Sequence, residues 1–172
     1  NVTIGLGLAT EMRYNLVPEN GYAPDEIFFD QLYIKLDSIA GKAVSLTLGR
    51  QNIMLGEGFL VMDGGPLDGS RSSYFNAVRV DWSINPKHGL SLIYLYQPEY
   101  DKYLPAIDDI DKALVEQPEE GIILYLTGKL GKLDLQSYFI RMNMKETDIQ
   151  QSRNINCPGL RFQYPLFRQI KL

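Results

Sequence analysis

The chain is poor in the residues from which most catalytic and metal sites are built. Its 172 residues include one cysteine, one histidine and one tryptophan. One cysteine excludes an internal disulfide and a multi-cysteine metal site, and one histidine leaves little room for a zinc site or a histidine-based triad. No motif marks a serine nucleophile near that histidine. We therefore expect neither an enzyme nor a cofactor-binding protein.

Basic residues are also in deficit. The net charge of −4 and the pI near 5.0 argue against a nucleic-acid-binding protein. The charge is unevenly distributed, because residues 97–120 hold eight acidic and two basic side chains, a net −6, and the rest of the chain is +2. We expect 97–120 to form an acidic loop, with a short amphipathic helix over Pro105–Leu114.

Long hydrophobic runs are absent. The longest, residues 58–62 and 121–126, fall far below the roughly 18 residues of a membrane-spanning helix. This excludes helical membrane proteins. It leaves β-barrel membrane proteins open, because their strands cross the bilayer in about 9–11 half-polar residues.

The sequence does contain a repeated two-residue alternation. From Val2 to Leu16 most even positions are apolar, and the positions between them are small or polar. The pattern recurs in seven further segments, near residues 31–37, 44–49, 78–83, 90–97, 122–129, 133–143 and 160–164. It predicts an all-β, antiparallel fold with about eight strands. A phase break between Leu135 and Tyr138 predicts a β-bulge in the seventh strand.

Connection lengths alternate as well. Short connections near residues 39–42, 84–89 and 130–131 are interleaved with long ones near 17–26, 54–74, 97–120 and 144–157. Tight turns at one end and long loops at the other are typical of outer-membrane barrels. On this interpretation the acidic segment 97–120 is extracellular.

The polar positions of the strands favour a membrane barrel over a soluble one. A soluble barrel lines its interior with the apolar face, whereas a membrane barrel turns that face to lipid. Here the polar positions combine charged residues with a small-residue row, Gly5, Gly7 and Ala9, which we interpret as leaving room inside. Tyrosine and tryptophan near strand ends suit interfacial girdles. We predict one transmembrane β-barrel domain over residues 1–172, either a small barrel or part of a larger one.

Three segments resemble the alginate-export family of bacterial outer-membrane barrels. They are Leu48–Gln51, Gly56–Gly58 and Phe75–Arg79, within a stretch of about a fifth of the chain. Glu57, Asn76 and Ala77 depart from the family pattern. The resemblance implies a monomeric, larger barrel in the outer membrane of a Gram-negative bacterium, with an Arg- and Lys-rich pore for an anionic polysaccharide such as alginate.

We therefore expect a porin for passive transport of anionic solutes, because rings of arginine and lysine select anions. The predicted pore-lining residues are Arg13, Lys35, Arg50, Arg79, Asp81, Lys129 and Arg161. Arg50 falls on the apolar phase, which places it at a strand end or bulge. For each of these residues the alternative is an ion pair with a neighbouring strand that merely stabilises a wet wall. At the level of the whole protein, the alternatives are a structural or adhesive barrel whose acidic loop binds a partner, and a soluble β-barrel that binds an apolar ligand.

Three further features carry weaker expectations. Asp108, Asp109 and Asp111 are candidate calcium ligands, but their spacing is not that of an EF-hand, so an exposed acidic loop is the preferred interpretation. Divalent ions bridging this loop to lipopolysaccharide phosphates are an intermediate possibility. Residues 63–69 form a turn-rich segment that either folds inward to constrict a pore or remains outside. Cys157 is expected to be a free thiol.

Overall fold

A computed structural model describes residues 1–14, 22–62, 74–115, 117–148 and 150–165, with only the backbone for 11–14 and 22–25. It contains eight strands: β1 (Val2–Tyr14), β2 (Tyr22–Leu36), β3 (Val44–Gln51), β4 (Phe75–Asn85), β5 (His88–Gln97), β6 (Glu119–Leu130), β7 (Leu133–Met144) and β8 (Arg153–Gln163). Two short 3₁₀ turns cover Ile39–Gly41 and Gly56–Gly58. None of the helices described is long and apolar enough to cross a membrane.

The strands form one antiparallel sheet in chain order, β1 to β8. Each strand pairs with the one before and the one after it. Among the described residues β1 and β8 form the two edges, so the sheet is open. The prediction of an all-β, antiparallel architecture with about eight strands is confirmed.

The connections alternate in length, although two differ from the prediction. The predicted long connection over 17–26 is wrong over residues 22–26, because β2 begins at Tyr22. Residues 37–43, 86–87 and 131–132 are short turns, whereas 52–74 and 98–118 are long. The predicted long connection over 144–157 is wrong, because β8 begins at Arg153 and leaves only 145–152 between the strands. The first residues of β8 are mostly polar, yet their backbone pairs with β7 from Arg153 opposite Met144 onwards.

The predicted helix over Pro105–Leu114 is also wrong. The backbone of this segment makes contacts outside itself: the Ile107 amide donates to the Ile27 carbonyl, and the Leu114 amide donates to the Glu99 carbonyl. Ala106 and Leu114 are buried, whereas Ile107 and Ile110 are exposed. The apolar side chains therefore do not share one helical face.

The two faces of the sheet differ in character. The outer face consists mainly of exposed apolar side chains, including Ile4, Leu6, Leu48, Val78, Trp82, Leu92, Ile122, Leu124, Leu126, Leu160 and Phe162. Arg141 and Asn156, which lie in the same row as Ile122, are polar exceptions. The inner face, opposite the outer one, combines charged side chains with a covered apolar cluster. On the outer face Leu124 in central strand β6 is 36% exposed, whereas Ile4 in edge strand β1 is 70% exposed, because β1 has a neighbour on one side only.

The predicted bulge in β7 is absent from the pairing of this strand. From Asp134 to Met144, β7 keeps one register with both β6 and β8. Tyr138 and Ile140 therefore belong to the inner face, and Phe139 to the outer face. Both faces of β7 carry apolar side chains. In the sequence this looks like a break in the two-residue alternation, although the pairing of the strand is regular.

Candidate functional site: the inner face of the sheet

Most of the predicted pore-lining residues with described side chains share the inner face. Lys35 in β2 lies opposite Thr47, which lies opposite Arg79 in β4, and Asp81 follows on the same face. Lys129 and Arg161 occupy the same face of β6 and β8. Arg13 lies near the end of β1, in the segment 11–14 of which only the backbone is described. The two-residue alternation of the strands thus places residues that are far apart in the sequence on one face of the sheet.

Four cations of the inner face are paired with carboxylates. Arg79 forms a two-pronged contact with Asp81, with nitrogen–oxygen distances of 2.8 and 3.0 Å. The Ser91 hydroxyl also donates to Asp81. Lys35 lies 3.3 Å from Asp37, and Lys129 lies 3.3 Å from Asp134. The Lys129–Asp134 pair joins neighbouring strands, as the alternative interpretation expects, whereas the Lys35–Asp37 and Arg79–Asp81 pairs each lie along one segment of the chain. All three pairs reduce the net positive charge of the face.

A fourth pair joins distant parts of the chain. Arg161 Nη2 in β8 lies 2.6 Å from Glu57 Oε2, in the connection between β3 and β4. The other terminal nitrogen of Arg161 donates to Gln136 Oε1 at 3.2 Å. The Gly56–Gly58 segment, one of the three that carry the family resemblance, therefore reaches across the inner face to the edge strand.

Residues 52–62 form a second layer over part of the inner face and are here named the covering loop. Ile53 and Leu55 of this loop are buried in one cluster with Ile93, Ile123 and Ile140 of the sheet. Leu60 and Val61 pack against the same cluster. The alternation rule does not predict this layer, because it assigns apolar side chains to one face only. The signal available is the continuous apolar run 121–126, since such runs indicate strands buried on both faces.

The uncovered part of the inner face holds a polar cavity of about 380 Å³ beside β2, β3 and β4. It is lined by Gln31, Tyr33, Lys35, Thr47, Gln51, Asn52, Arg79 and Asp81. Amide, hydroxyl and charged groups of both signs can exchange hydrogen bonds with a hydrophilic solute or with water.

The small residues of the inner face do not all leave open space. A side chain at Gly5 would collide with the ring of Tyr33, and one at Gly159 would collide with the ring of Tyr138. Each glycine lies directly opposite its tyrosine in the pairing. Tyrosine rings therefore lie across these glycines, and the interpretation of Gly5 as leaving room inside is wrong.

Arg50 is set apart from the other predicted pore-lining residues. Its side chain is 0% exposed and donates to the Phe29 and Leu104 carbonyls, to Asn76 and to Asp101. The guanidinium also lies 4.0 Å from the centre of the Tyr74 ring. With four hydrogen bonds and no exposed surface, Arg50 anchors the acidic loop to β2 and β4 and is not an accessible part of the inner face.

Asp101 is the charged partner of Arg50. Burial raises the pKa of its carboxyl, but the amides of Leu104 and Tyr103, the Arg50 charge and the Asn76 amide together outweigh burial and lower that pKa below its ordinary value. The Nη2–Oδ2 distance is 2.8 Å. Asp101 is therefore charged under neutral conditions, and the pair joins the acidic loop to the motif residues Arg50 and Asn76.

The remaining predicted features lie outside this arrangement. Asp108 accepts a hydrogen bond from the Ile27 amide, and Asp109 accepts one from the Asp111 amide. Over the described part of the chain, no three acidic, histidine or cysteine side chains converge on a metal-sized site. Residues 63–69 lie outside the described residues. Cys157 is a free thiol at the edge of the covered cluster.

Two of the three segments that carry the family resemblance, Leu48–Gln51 and Phe75–Arg79, meet in space. Gly49, Arg50 and Gln51 lie opposite Ala77, Asn76 and Phe75 in the β3–β4 pairing. Asn76 bonds both Arg50 and Asp101, so the motif residues form one hydrogen-bonded junction. Comparisons of this chain with protein-family models, with curated proteins and with solved structures find no match.

Proposed function

We propose that this chain forms part of the wall of a β-barrel pore in the outer membrane of a Gram-negative bacterium. We further propose that hydrophilic solutes, including anions, pass through this pore. The observation that carries the proposal is the contrast between the two faces of one sheet. Exposed apolar side chains predominate on the outer face, where Arg141 and Asn156 of β7 and β8 are exceptions, and charged side chains are concentrated on the opposite face. Such a sheet fits a boundary between lipid and water.

The outer face supports the lipid-facing part of the proposal. Large apolar side chains remain exposed on consecutive strands from β1 to β8, far beyond the scattered apolar residues of a soluble surface. A soluble barrel with an apolar ligand would need this face inside. The covering loop packs on the other face, which supports the opposite orientation.

The inner face supports a wide pore. An eight-strand barrel has an interior just large enough for side chains. Here the inner face already carries a backbone segment, the covering loop, in addition to its own side chains. We therefore propose that the sheet belongs to a barrel with more than eight strands, as the alginate-export resemblance implies. An anionic polysaccharide remains the solute which that resemblance suggests.

The ion pairs limit the anion preference that we propose. Lys35, Arg79, Lys129 and Arg161 each lie beside a carboxylate, so their positive fields are partly cancelled. Balanced charges hold a polar solute weakly at several places, which permits release as well as binding. We accordingly expect weak anion selectivity.

Conductance across a planar lipid bilayer tests the proposal. Protein purified in detergent is added to the bilayer, and stepwise ion conductance with a weak anion preference is expected. Arg79→Gln combined with Arg161→Gln should remove that preference, because two cations of the inner face are lost. A protein that inserts but stays electrically silent would contradict the pore, and protein that stays soluble without detergent would contradict the membrane wall.

A partner-binding barrel is a second candidate, favoured by the surface of the acidic loop. Tyr103 is 91% exposed there, and Ile110 is exposed beside Asp109 and Asp111. Exposed aromatic and aliphatic side chains among charges are typical of binding surfaces. A silent bilayer together with retention of this protein on whole cells or on lipopolysaccharide would favour this candidate over the pore.

A further inference from the structure

Glu57 differs from the other inner-face carboxylates in where it is attached. Asp37, Asp81 and Asp134 each pair with a cation close to them in the sequence, on the same strand or across a tight hairpin. Glu57 lies on the covering loop and pairs with Arg161, 104 positions away. It is therefore the described carboxylate that reaches the inner face from above the sheet.

The backbone presents Glu57 at the tip of a tight turn. Gly56, Glu57 and Gly58 have φ values of +63°, +59° and +85°. The left-handed conformation is costly for a residue with a Cβ and persists where surrounding contacts hold it. The charge-assisted contact of 2.6 Å with Arg161 is such a contact, and the buried Ile53 and Leu55 fix the base of the loop.

The carboxylate and its partner both face accessible space. The side chains of Arg161 and Glu57 are 30% and 69% exposed. A solute moving along the inner face would meet the carboxylate first. Without it, the Arg161 guanidinium would keep only the neutral amide of Gln136 as a described side-chain partner.

We propose that Glu57 determines the charge selectivity of the pore, by cancelling the field of Arg161 from the covering loop. The inference rests on the proposed function. A carboxylate fixed beside the guanidinium lowers the local concentration of anions, and its removal raises that concentration. Lys112 of the acidic loop pairs with the buried Glu26 of β2, and Asp101 of that loop pairs with the buried Arg50. Glu57 is the carboxylate that the covering loop places beside a partly exposed cation of the inner face.

The test is the reversal potential under a potassium chloride gradient. Glu57→Gln keeps the size of the side chain and should shift the reversal potential towards that of chloride. Arg161→Gln should shift it towards that of potassium, because the carboxylate is left without its cation. The exchange Glu57→Arg with Arg161→Glu should return the reversal potential close to that of the wild type. Glu146→Gln, the same change in the exposed β7–β8 connection, is the matched control and should leave it unchanged.

The outcomes separate this inference from the function on which it rests. Conducting channels whose reversal potential is the same in wild type and Glu57→Gln would overturn the inference and leave the pore intact. Wild-type protein that inserts without conducting would overturn both. If Glu57→Gln does not fold, the exchange variant decides the matter, since it retains the pair and a large shift in its reversal potential would contradict the proposed cancellation.

Discussion

Gly49 lies inside strand β3 with a φ of +117°, a conformation that residues with a side chain rarely adopt. A Cβ at this position would also collide with the carbonyl oxygen of Leu32 on the neighbouring strand. The Gln51 amide donates to the carbonyls of Gly49 and Ala77, which joins β3 to β4 at the same point. The backbone conformation and the close approach of the neighbouring strand therefore explain why a glycine occupies this position of the Leu48–Gln51 motif.

Gly49→Ala should lower the free energy of unfolding by about 2 kcal/mol or more, because the backbone is strained and the neighbouring strand must move. Gly131→Ala is the matched control. Gly131 also has a positive φ, of +64°, but nothing lies within 4 Å of an added Cβ, so a loss of only about 1 kcal/mol is expected. Denaturant unfolding in detergent micelles measures both variants, and equal losses would contradict this account of Gly49.

Asp101→Asn tests the anchor of the acidic loop. The substitution leaves the buried Arg50 charge without its anion, and breaking a buried pair in this way costs about 3–5 kcal/mol. Asp109→Asn, on the exposed part of the same loop, should change stability by less than about 0.5 kcal/mol. Hydrogen exchange over residues 98–118 should rise in the first variant and stay unchanged in the second; unchanged exchange in both would contradict the anchor.

Because the pKa of the Asp101 carboxyl is lowered in the folded protein, we expect the stability of the loop anchor to depend on pH. The pKa of this carboxyl is lower in the folded protein than in the unfolded chain, so the stabilisation is fully present above the ordinary aspartate value of about 3.9. The stabilisation is then lost as the pH falls through the folded-state pKa. Protection of residues 98–118 from hydrogen exchange should be flat above about pH 5 and should decline only in stronger acid. A decline near neutral pH would point to a different group.

At the scale of elements, the alternation of residues predicts the strands well. In β4, for example, Val78, Val80 and Trp82 share one face and Arg79 and Asp81 the other, as their positions indicate. Elements without a period are predicted poorly. The apolar residues of segment 105–114 have helical spacing, but its backbone bonds to the carbonyls of Ile27 and Glu99 instead of forming a helix. These partners lie outside the segment, so its own sequence does not reveal them.

The covering loop is the element that sequence patterns miss. Its apolar side chains, such as Ile53 and Leu55, lie in a connection where no strand or helix period exists. Its partners Ile93 and Ile123 occupy positions that alternation assigns to the polar face. The contact between them depends on where a long connection folds, which is a property of the tertiary structure. The apparent break of phase in β7 has the same origin.

Ile53→Ala tests the attachment of the covering loop. Ile53 is fully buried against the inner face, so its truncation should cost about 2–5 kcal/mol in stability or release the loop. Met54→Ala is the neighbouring control, because Met54 is exposed and its loss should cost little. Limited proteolysis within residues 52–62 reports release directly. Equal resistance of the two variants would contradict packing of this loop on the sheet.

At the scale of the whole molecule, the proposed membrane location requires lipid to cover the outer face of the sheet. Exposed apolar side chains extend over this face from Ile4 to Phe162. The two edge strands also present unpaired backbone groups among the described residues, and such groups must find partners inside a bilayer. A lipid environment with further strands at both edges satisfies these requirements together.

The most direct test uses the one tryptophan of the chain. Trp82 lies on the outer face of β4 with 45% of its surface exposed, so after reconstitution it should contact lipid. In vesicles, its fluorescence should be blue-shifted and strongly quenched by lipids brominated on their acyl chains, with little quenching by iodide in the water. Red-shifted emission, quenched by iodide and insensitive to brominated lipids, would contradict the claim that this sheet is a membrane wall.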